Sequence, residues 1–306
     1  MAEPRGKRPR ETEPEEPTPF HGMPRVQWFP GHIAKATKIL QEQVKLVDMV
    51  IELVDARLPH SSRFLRTREL IGDRPRALVL NKRDMADPAL TEAWIARYRD
   101  EGVPVVAVDS RTGHGFSALN QAIAAQGNRV QERMASRGRL PRAVRLMVVG
   151  MPNVGKSSLI NRVVRTGKAR TGDRPGVTRG THWIRISKDL ELLDTPGIIP
   201  PKLDDPRVAL RIAMVGSVST ESYDALEVAR WSFPLLELTS PDLLAPWGHP
   251  ASLETFARKR GMLLPGDRPD LGRAARTWLA DLRTGALGAF TLDLPGQPEL
   301  EIPSPT

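Results

Sequence analysis

The chain contains no cysteine. Disulfide frameworks, cysteine-based zinc sites and thiol nucleophiles are therefore excluded. The sequence also lacks any apolar run near the roughly 18 residues that a membrane-spanning helix needs, and it has no amino-terminal signal with an apolar centre. These absences predict a cytoplasmic protein without a membrane partner.

Acidic side chains are outnumbered by basic ones. The 306 residues include 45 Lys and Arg against 36 Asp and Glu, a net charge of +9. The excess lies in residues 23–205, which hold 31 basic and 19 acidic side chains. It predicts a polyanionic partner; the alternative is an arginine-rich composition shared by every protein of the source organism.

Arg129, Arg133 and Arg137 stand four apart and predict a helical stripe, which is either part of such a surface or a solvated face.

The composition changes along the chain in a way that predicts three segments. Residues 1–22 have almost no apolar side chains, which predicts a disordered tail. Residues 23–205 alternate apolar strand patterns with amphipathic helices, which predicts an α/β fold with a mostly parallel sheet, helices on both faces and a ligand at the carboxyl edge. Residues 206–306 show mainly helical patterns and predict a smaller second domain after a proline-rich boundary.

The individual elements follow from the apolar spacing. Strands are expected at 49–54, 77–80, 103–108, 144–149, 183–186 and 190–193, with helices at 88–99, 117–137 and 158–164. In the last segment, helices are expected at 207–218, 222–236, 253–261 and 271–287, followed by a final strand at 290–294. The helix at 88–99 should begin after Asp87 as N-cap, with Pro88 in its first position.

A complete phosphate-binding loop follows the strand at 144–149 and runs from Gly150 to Ser158. At such a strand-to-helix turn the main-chain amides face the α- and β-phosphates, the lysine reaches the β- and γ-oxygens, and the hydroxyl ligates Mg²⁺. The alternative is a chance glycine-serine turn. The residues expected to bind phosphate here are Asn153, Val154, Gly155, Lys156, Ser157 and Ser158, with Ser157 as the Mg²⁺ ligand.

A second loop predicts which base the bound nucleotide carries. Asn81-Lys82-Arg83-Asp84 follows the strand at 77–80 and matches the pattern that selects guanine. An ionised Asp84 accepts from both N1–H and the exocyclic amine of guanine, whereas adenine would leave this carboxylate unpaired, so a plain ATPase is disfavoured. Lys82 is expected over the base, and Asn81 is expected to join this loop to the phosphate loop.

A third loop, Asp194-Thr195-Pro196-Gly197, predicts contacts to the metal and the γ-phosphate. Asp194 would hold the Mg²⁺ shell, Gly197 would approach the γ-phosphate, and Thr178 would complete the metal shell. The order along the chain is guanine loop, phosphate loop and γ-phosphate loop, whereas ordinary GTPases begin with the phosphate loop. The sequence therefore predicts a circular permutation.

Taken together, these motifs resemble the ribosome biogenesis GTPase A (RbgA, also YlqF) family. The residues that carry the resemblance are Trp28-Phe29-Pro30-Gly31-His32, Asp55-Ala56-Arg57, Asn81 to Asp84, Gly150 to Ser158, Gly172 to Thr178 and Asp194 to Gly197. The resemblance implies a circularly permuted GTPase domain followed by a helical domain, acting in late assembly of the large ribosomal subunit. A related permuted family that acts on the small subunit carries a Cys/His zinc module, which a chain without cysteine cannot build.

The resemblance also implies roles for individual residues. Asp109 and Ser110 correspond to a second guanine-contacting loop, although the Ala-Lys that ordinarily follows is missing, so only main-chain contacts are expected. His32 corresponds to a histidine that positions the attacking water, since Gly197 is followed by isoleucines; the alternative is a residue that caps or packs its helix. Asn153 corresponds to a K⁺ ligand or is a simple turn residue. Arg179 departs from the family pattern beside Thr178.

Two functions of different classes remain open from the sequence. The first is a monomeric GTPase that binds GTP, GDP, Mg²⁺ and a precursor of the large ribosomal subunit including its rRNA, is stimulated by that particle and leaves after hydrolysis. The second is a nucleotide-regulated RNA-binding or signalling module in which hydrolysis is incidental.

Overall fold

The computed structural model describes residues 23–26, 38–63, 69, 71–166, 182–194, 205–297 and 300–305. One six-stranded sheet forms the centre, with the strand order β3-β2-β1-β4-β6-β5. Five strands are parallel, and β5 runs antiparallel to β6 at one edge. The strands are β1 (Met49–Asp55), β2 (Arg76–Asn81), β3 (Val105–Ala107), β4 (Val144–Gly150), β5 (His182–Arg185) and β6 (Leu190–Asp194).

Helices cover both faces of this sheet because its central strands are apolar on both sides. They are α1 (Pro88–Asp100), α2 (Phe116–Ala135) and α3 (Lys156–Thr166), and residues 38–44 are also helical. Ile51 of β1 belongs to the apolar cluster of α2 and α3, whereas its neighbour Val50 belongs to the cluster of the helical residues 38–44. Asp87 caps α1 as expected, accepting a hydrogen bond from the Leu90 amide at 2.8 Å.

The remaining described residues form a helical region that packs around one aromatic cluster. Its helices are α4 (Pro206–Met214), α5 (Ala225–Thr239), α6 (Leu253–Lys259) and α7 (Leu271–Thr284). Trp278 of α7 is fully buried, and its ring lies 4.5 Å from Phe233 and 5.0 Å from Phe256, centroid to centroid. The predicted fold class, a mostly parallel sheet with flanking helices followed by a helical region, is confirmed.

The elements differ from the sequence-based expectation in the carboxyl-terminal region. Residues 290–294 do not form the expected strand; Phe290 and Leu292 donate main-chain hydrogen bonds to the loop carbonyls of Met85 and Arg57 instead of pairing with a sheet. A short hairpin of β7 (Leu263–Leu264) and β8 (Arg268–Pro269) was not anticipated. The helix expected to reach residue 287 ends at Thr284, since Gly285 adopts a left-handed conformation with φ 78°.

Three further points concern the sequence-based expectations. The strand at 103–108 is shorter, Val105–Ala107, and the helix at 207–218 ends at Met214. The division into a tail at 1–22 and domains at 23–205 and 206–306 stays a prediction. Among the described residues, no helix combines the length and apolar character needed to cross a membrane.

Candidate nucleotide site

The guanine and phosphate loops meet at the carboxyl edge of the sheet. The guanine loop follows β2 and the phosphate loop follows β4, and β1 lies between these two strands. Parallel strands deliver their carboxyl ends to the same edge, so loops about 70 residues apart in sequence become neighbours there. This is the edge at which open α/β sheets bind ligands.

Two glycines allow the phosphate loop to pass close to its neighbours. A Cβ on Gly150 would lie 2.3 Å from the Leu53 carbonyl oxygen, and one on Gly155 would lie 2.3 Å from the Asn81 side-chain nitrogen. Gly155 also has φ +100°, a conformation that side-chain-bearing residues rarely adopt. The loop leads directly into α3, so its main-chain amides stand at a helix N-terminus, which favours anions.

Lys156 lies folded against the loop. Its ammonium group donates hydrogen bonds to the carbonyls of Gly150 at 2.8 Å and Met151 at 2.6 Å, and the residue is 9% exposed. Burial lowers the pKa of Lys156 to about 8, and no carboxylate in the described part of the chain pairs with it. A buried cation without an anionic partner is favourably placed for a phosphate ligand.

Asn81 joins three loops. Its side-chain amide donates to the Val154 carbonyl of the phosphate loop at 2.7 Å. Its side-chain oxygen accepts hydrogen bonds from Ser110, at 2.8 Å from the hydroxyl and 3.2 Å from the main-chain amide. The expected contact between Asn81 and the phosphate loop is therefore present, and the residue also holds Ser110 of the predicted second guanine-contacting loop.

Asp84 lies at the surface of the guanine loop, in the single helical turn Arg83–Met85. Its side chain is 25% exposed, and its carboxylate lies 3.3 Å from the guanidinium of Arg111. Arg83 is engaged elsewhere, 3.9 Å from Glu92. Because the side chain of Arg111 is 75% exposed, this ion pair is weak, and a ligand with two donors could replace Arg111 at Asp84.

Lys82 has a partner that the sequence did not indicate. It adopts a left-handed conformation with φ 60°, and its ammonium group lies 3.0 Å from the carboxylate of Asp55. The side chain is 20% exposed. Its expected position over the base stays a prediction.

Asp55 and Arg57 form a fully buried ion pair beside the site, and each side chain is 0% exposed. Arg57 donates from Nε at 2.9 Å and from an NH2 group at 2.8 Å to the two oxygens of Asp55. Its remaining NH2 group donates to the Leu282 carbonyl of α7 at 3.0 Å. Burial alone would raise the pKa of Asp55, but the charges of Arg57 and Lys82 outweigh it and hold the pKa well below its usual range.

The predicted second guanine-contacting loop, at Asp109 and Ser110, is shaped by its own hydrogen bonds. The carboxylate of Asp109 accepts from the Arg111 amide at 2.7 Å and from the Thr112 hydroxyl. Burial opposes ionisation of Asp109, but these hydrogen bonds lower its pKa. Arg162 of α3 donates to the Ser110 carbonyl at 3.0 Å, a contact that no sequence pattern indicated.

Asn153 stands at the tip of the phosphate loop with φ 57°. Its side-chain nitrogen donates to the Gly216 carbonyl of the helical region at 2.8 Å. This hydrogen bond uses the nitrogen of the amide rather than its oxygen. The residue therefore connects the phosphate loop to the segment that follows α4.

The other predicted site residues are described only in part. Ser157 and Ser158 lie exposed in the first turn of α3. The main chain of Asp194 ends β6, beside β4, but its side chain lies outside the described residues. His32, Thr178 and Gly197 lie outside them as well. Within the described part of the chain, no group of three or more His, Asp or Glu could hold a metal ion by itself.

A phosphate loop joined through Asn81 to a guanine-type loop at one sheet edge defines a nucleotide-binding protein of the P-loop GTPase class. A family model described as 50S ribosome-binding GTPase matches residues 145–225. The chain is 40% identical over 278 residues to ribosome biogenesis GTPase A of Bacillus cereus, covering 88% of this chain and 94% of that protein. It is 40% identical over 286 residues to the same protein of Priestia megaterium, covering 90% and 98%. The chain belongs to the ribosome biogenesis GTPase A family.

A solved structure agrees with this assignment. The GDP-bound structure of TM YlqF superposes with a TM-score of 0.63 at 25% identity, covering 84% of this chain and 99% of that chain.

Proposed function

We propose that the protein binds GTP with Mg²⁺, hydrolyses it, and uses the cycle to dock on and leave a precursor of the large ribosomal subunit. The observation that carries this proposal is the set of hydrogen bonds from Asn81, which holds the guanine loop, the phosphate loop and Ser110 in one constellation. Family membership supports the partner, because the matching model is described as a 50S ribosome-binding GTPase.

In this proposal the nucleotide contacts divide between the loops. Asp84 accepts from guanine, Lys82 lies along the base, and the second loop contributes main-chain groups near Ser110. Lys156 leaves the Gly150 and Met151 carbonyls for the β- and γ-phosphates, a move that gives its desolvated charge an anionic partner.

Mg²⁺ fits the residues present. It usually keeps several waters and binds through one or two protein groups plus substrate phosphates, so it does not require a cluster of three or more carboxylates, and the described residues contain none. Ser157 offers an exposed hydroxyl at the start of α3, and Thr178 and Asp194 are the other proposed ligands. The metal would supply charge neutralisation at the phosphates. Asn153 is the proposed K⁺ ligand through its side-chain oxygen, since its nitrogen is engaged with Gly216.

Water activation is assigned to His32, because Ile198 and Ile199 after Gly197 can neither orient a water nor accept its proton. Docking on the particle is proposed to complete this site, so that intrinsic hydrolysis is slow and particle-stimulated hydrolysis fast. The protein would act as a cytoplasmic monomer.

Sedimentation with purified large-subunit precursors tests the partner. Co-migration is expected with a non-hydrolysable GTP analogue and is expected to fall with GDP. The Lys156→Ala variant, which lacks the phosphate cation, serves as the control and should not respond to the analogue. Failure of the wild-type protein to co-migrate in any nucleotide state would refute the proposed partner and favour a signalling module.

The catalytic assignment is tested by His32→Ala. This variant should keep GTP affinity and particle binding while losing most of the particle-stimulated rate, by about a hundredfold or more as expected for loss of a general base. Stimulated turnover that survives within about threefold would make His32 a structural residue, because general-base effects are larger than that.

A further inference from the structure

The edge of the sheet opposite the nucleotide loops carries a basic groove. It is lined by seven basic and two acidic side chains and has a volume of about 450 Å³. Asp48 and Pro75, which line it, directly precede β1 and β2, and Arg133 and Met134 come from the last turn of α2. β1 and β4 contain seven residues each, so the groove lies roughly 20 Å from the phosphate loop.

Part of this basic charge is held in place by the fold. Arg142 forms a two-pronged ion pair with Asp48, at 2.8 and 2.9 Å. Arg74 donates to the main-chain carbonyls of Val47 at 3.1 Å and Ile71 at 3.0 Å. These arginines form part of the groove wall, and the ion pair of Arg142 neutralises the charge of Asp48, one of the two acidic side chains.

Two further arginines have no such role. Arg137 and Arg139 are exposed just beyond the end of α2, and their side chains make no hydrogen bond or ion pair to other residues that the structure describes. Arg133 has a local role, donating to the Asp73 carbonyl at 3.1 Å and complementing the helix C-terminus. Arg137 and Arg139 lie beyond the helix, and no described carboxylate pairs with them, so their guanidinium groups are available to an anionic partner.

We infer that this groove binds the phosphate backbone of structured RNA. Six of its seven basic side chains are arginine, whose planar guanidinium matches phosphate oxygens in pairs. A concave groove admits a strand of backbone, whereas a flat membrane surface cannot place its phosphates inside it. The inference rests on the proposed function in that the RNA would be part of the ribosomal precursor, and it gives that precursor a contact remote from the nucleotide.

The test compares two charge-reversal variants with equal change in net charge. The groove variant is R137E/R139E, and the control is R99E/R165E, which changes exposed arginines of α1 and α3 that do not line the groove. The probes are an RNA duplex, purified large-subunit precursors, phosphatidylserine vesicles and polyglutamate. GDP affinity is measured in parallel and should equal the wild-type value in both variants, because neither pair belongs to the nucleotide site.

The groove variant should bind the RNA duplex about tenfold or more weakly, with a salt dependence shallower by about 2 in log–log slope. The control should stay within about twofold of the wild type, since it removes no phosphate contact. Equal binding by the wild type and the groove variant, equal loss in both variants, or tighter binding of the vesicles or polyglutamate than of RNA would overturn the inference.

The experiment with large-subunit precursors tests this inference separately from the proposed function. A wild-type protein that binds the RNA duplex through the groove but ignores the precursors would refute the proposed partner and leave the groove assignment standing. A wild-type protein that co-migrates with the precursors, while the groove variant binds RNA normally, would refute the groove alone.

Discussion

Replacing Arg57 by methionine should destabilise the protein severely. The substitution keeps most of the side-chain volume but leaves the Asp55 carboxylate buried with Lys82, 3.0 Å away, as its remaining cationic partner. It also leaves the Leu282 carbonyl without its hydrogen bond. Removing one partner of a fully buried pair costs about 3–5 kcal/mol, so we expect a loss of that size in the free energy of unfolding.

Urea unfolding of a double-mutant cycle measures this value. The variants are Arg57→Met, Asp55→Asn and the double variant, which removes both charges of the fully buried pair and leaves only the 20% exposed Lys82 without its carboxylate. The double variant should therefore lose less than the sum of the two single losses, by about 1–3 kcal/mol. As a control, Arg97→Met removes an exposed ion pair with Glu101 and should cost at most about 1 kcal/mol.

The same ion pair predicts that the free energy of unfolding falls at acidic pH. The pKa of Asp55 lies below its unfolded value because Arg57 and Lys82 outweigh the effect of burial. The stability that this lowering contributes is complete above the ordinary carboxyl pKa of about 4 and is lost progressively below it. The reasoning would be refuted by a loss in Arg57→Met below about 1 kcal/mol, the range of exposed pairs, or by strict additivity in the cycle.

Three other predictions concern the nucleotide. Because the pKa of Lys156 is about 8 and a bound phosphate would raise it, nucleotide affinity should fall above pH 8, by at most about tenfold per pH unit. The Lys156→Arg variant titrates much higher, so its affinity should change with pH only as far as guanine itself titrates. Equal slopes in the wild type and this variant would contradict the prediction. Asp84→Asn should weaken GTP about tenfold or more and improve xanthine nucleotide binding, since it replaces an acceptor by a donor; unchanged GTP affinity in equilibrium binding would reject the guanine assignment. Hydrolysis should be faster in K⁺ than in Na⁺ at equal ionic strength and lose this difference in Asn153→Ala; equal wild-type rates would leave Asn153 a turn residue.

The phosphate loop could be found from sequence because its residues are dictated by local backbone geometry. Gly150 and Gly155 stand where a Cβ would collide with Leu53 or Asn81, so their spacing is readable without a structure. The sheet was equally readable, since buried parallel strands such as β1 and β4 are short, nearly continuous apolar runs. The contact of Asn81 with the phosphate loop was also expected, and it is present.

Contacts between residues far apart in the chain left no such pattern. Arg57 and Leu282 are separated by 225 residues, and neither shows by itself that the other is its partner. The pairs of Lys82 with Asp55 and of Arg111 with Asp84 were missed for the same reason, because any surface cation could have been their alternative. For residues 290–294 the sequence predicted a strand that the structure does not contain. Their apolar residues are typical of a strand, but the main-chain amides of Phe290 and Leu292 donate to the carbonyls of Met85 and Arg57 instead.

The strand order has a consequence for how the protein emerges during its own synthesis. Among the described strands β1 is made first. It pairs directly with β2, which pairs with β3, so these three neighbouring strands are available once residue 107 has left the exit tunnel. β4 then adds to the other side of β1 and brings the phosphate loop to an Asn81 already in position. Arg57 finds its contact on α7 late, because Leu282 is made near the end of synthesis. A nascent chain can thus form the guanine loop early, while the buried Arg57 gains its hydrogen bond to Leu282 only when translation is nearly over.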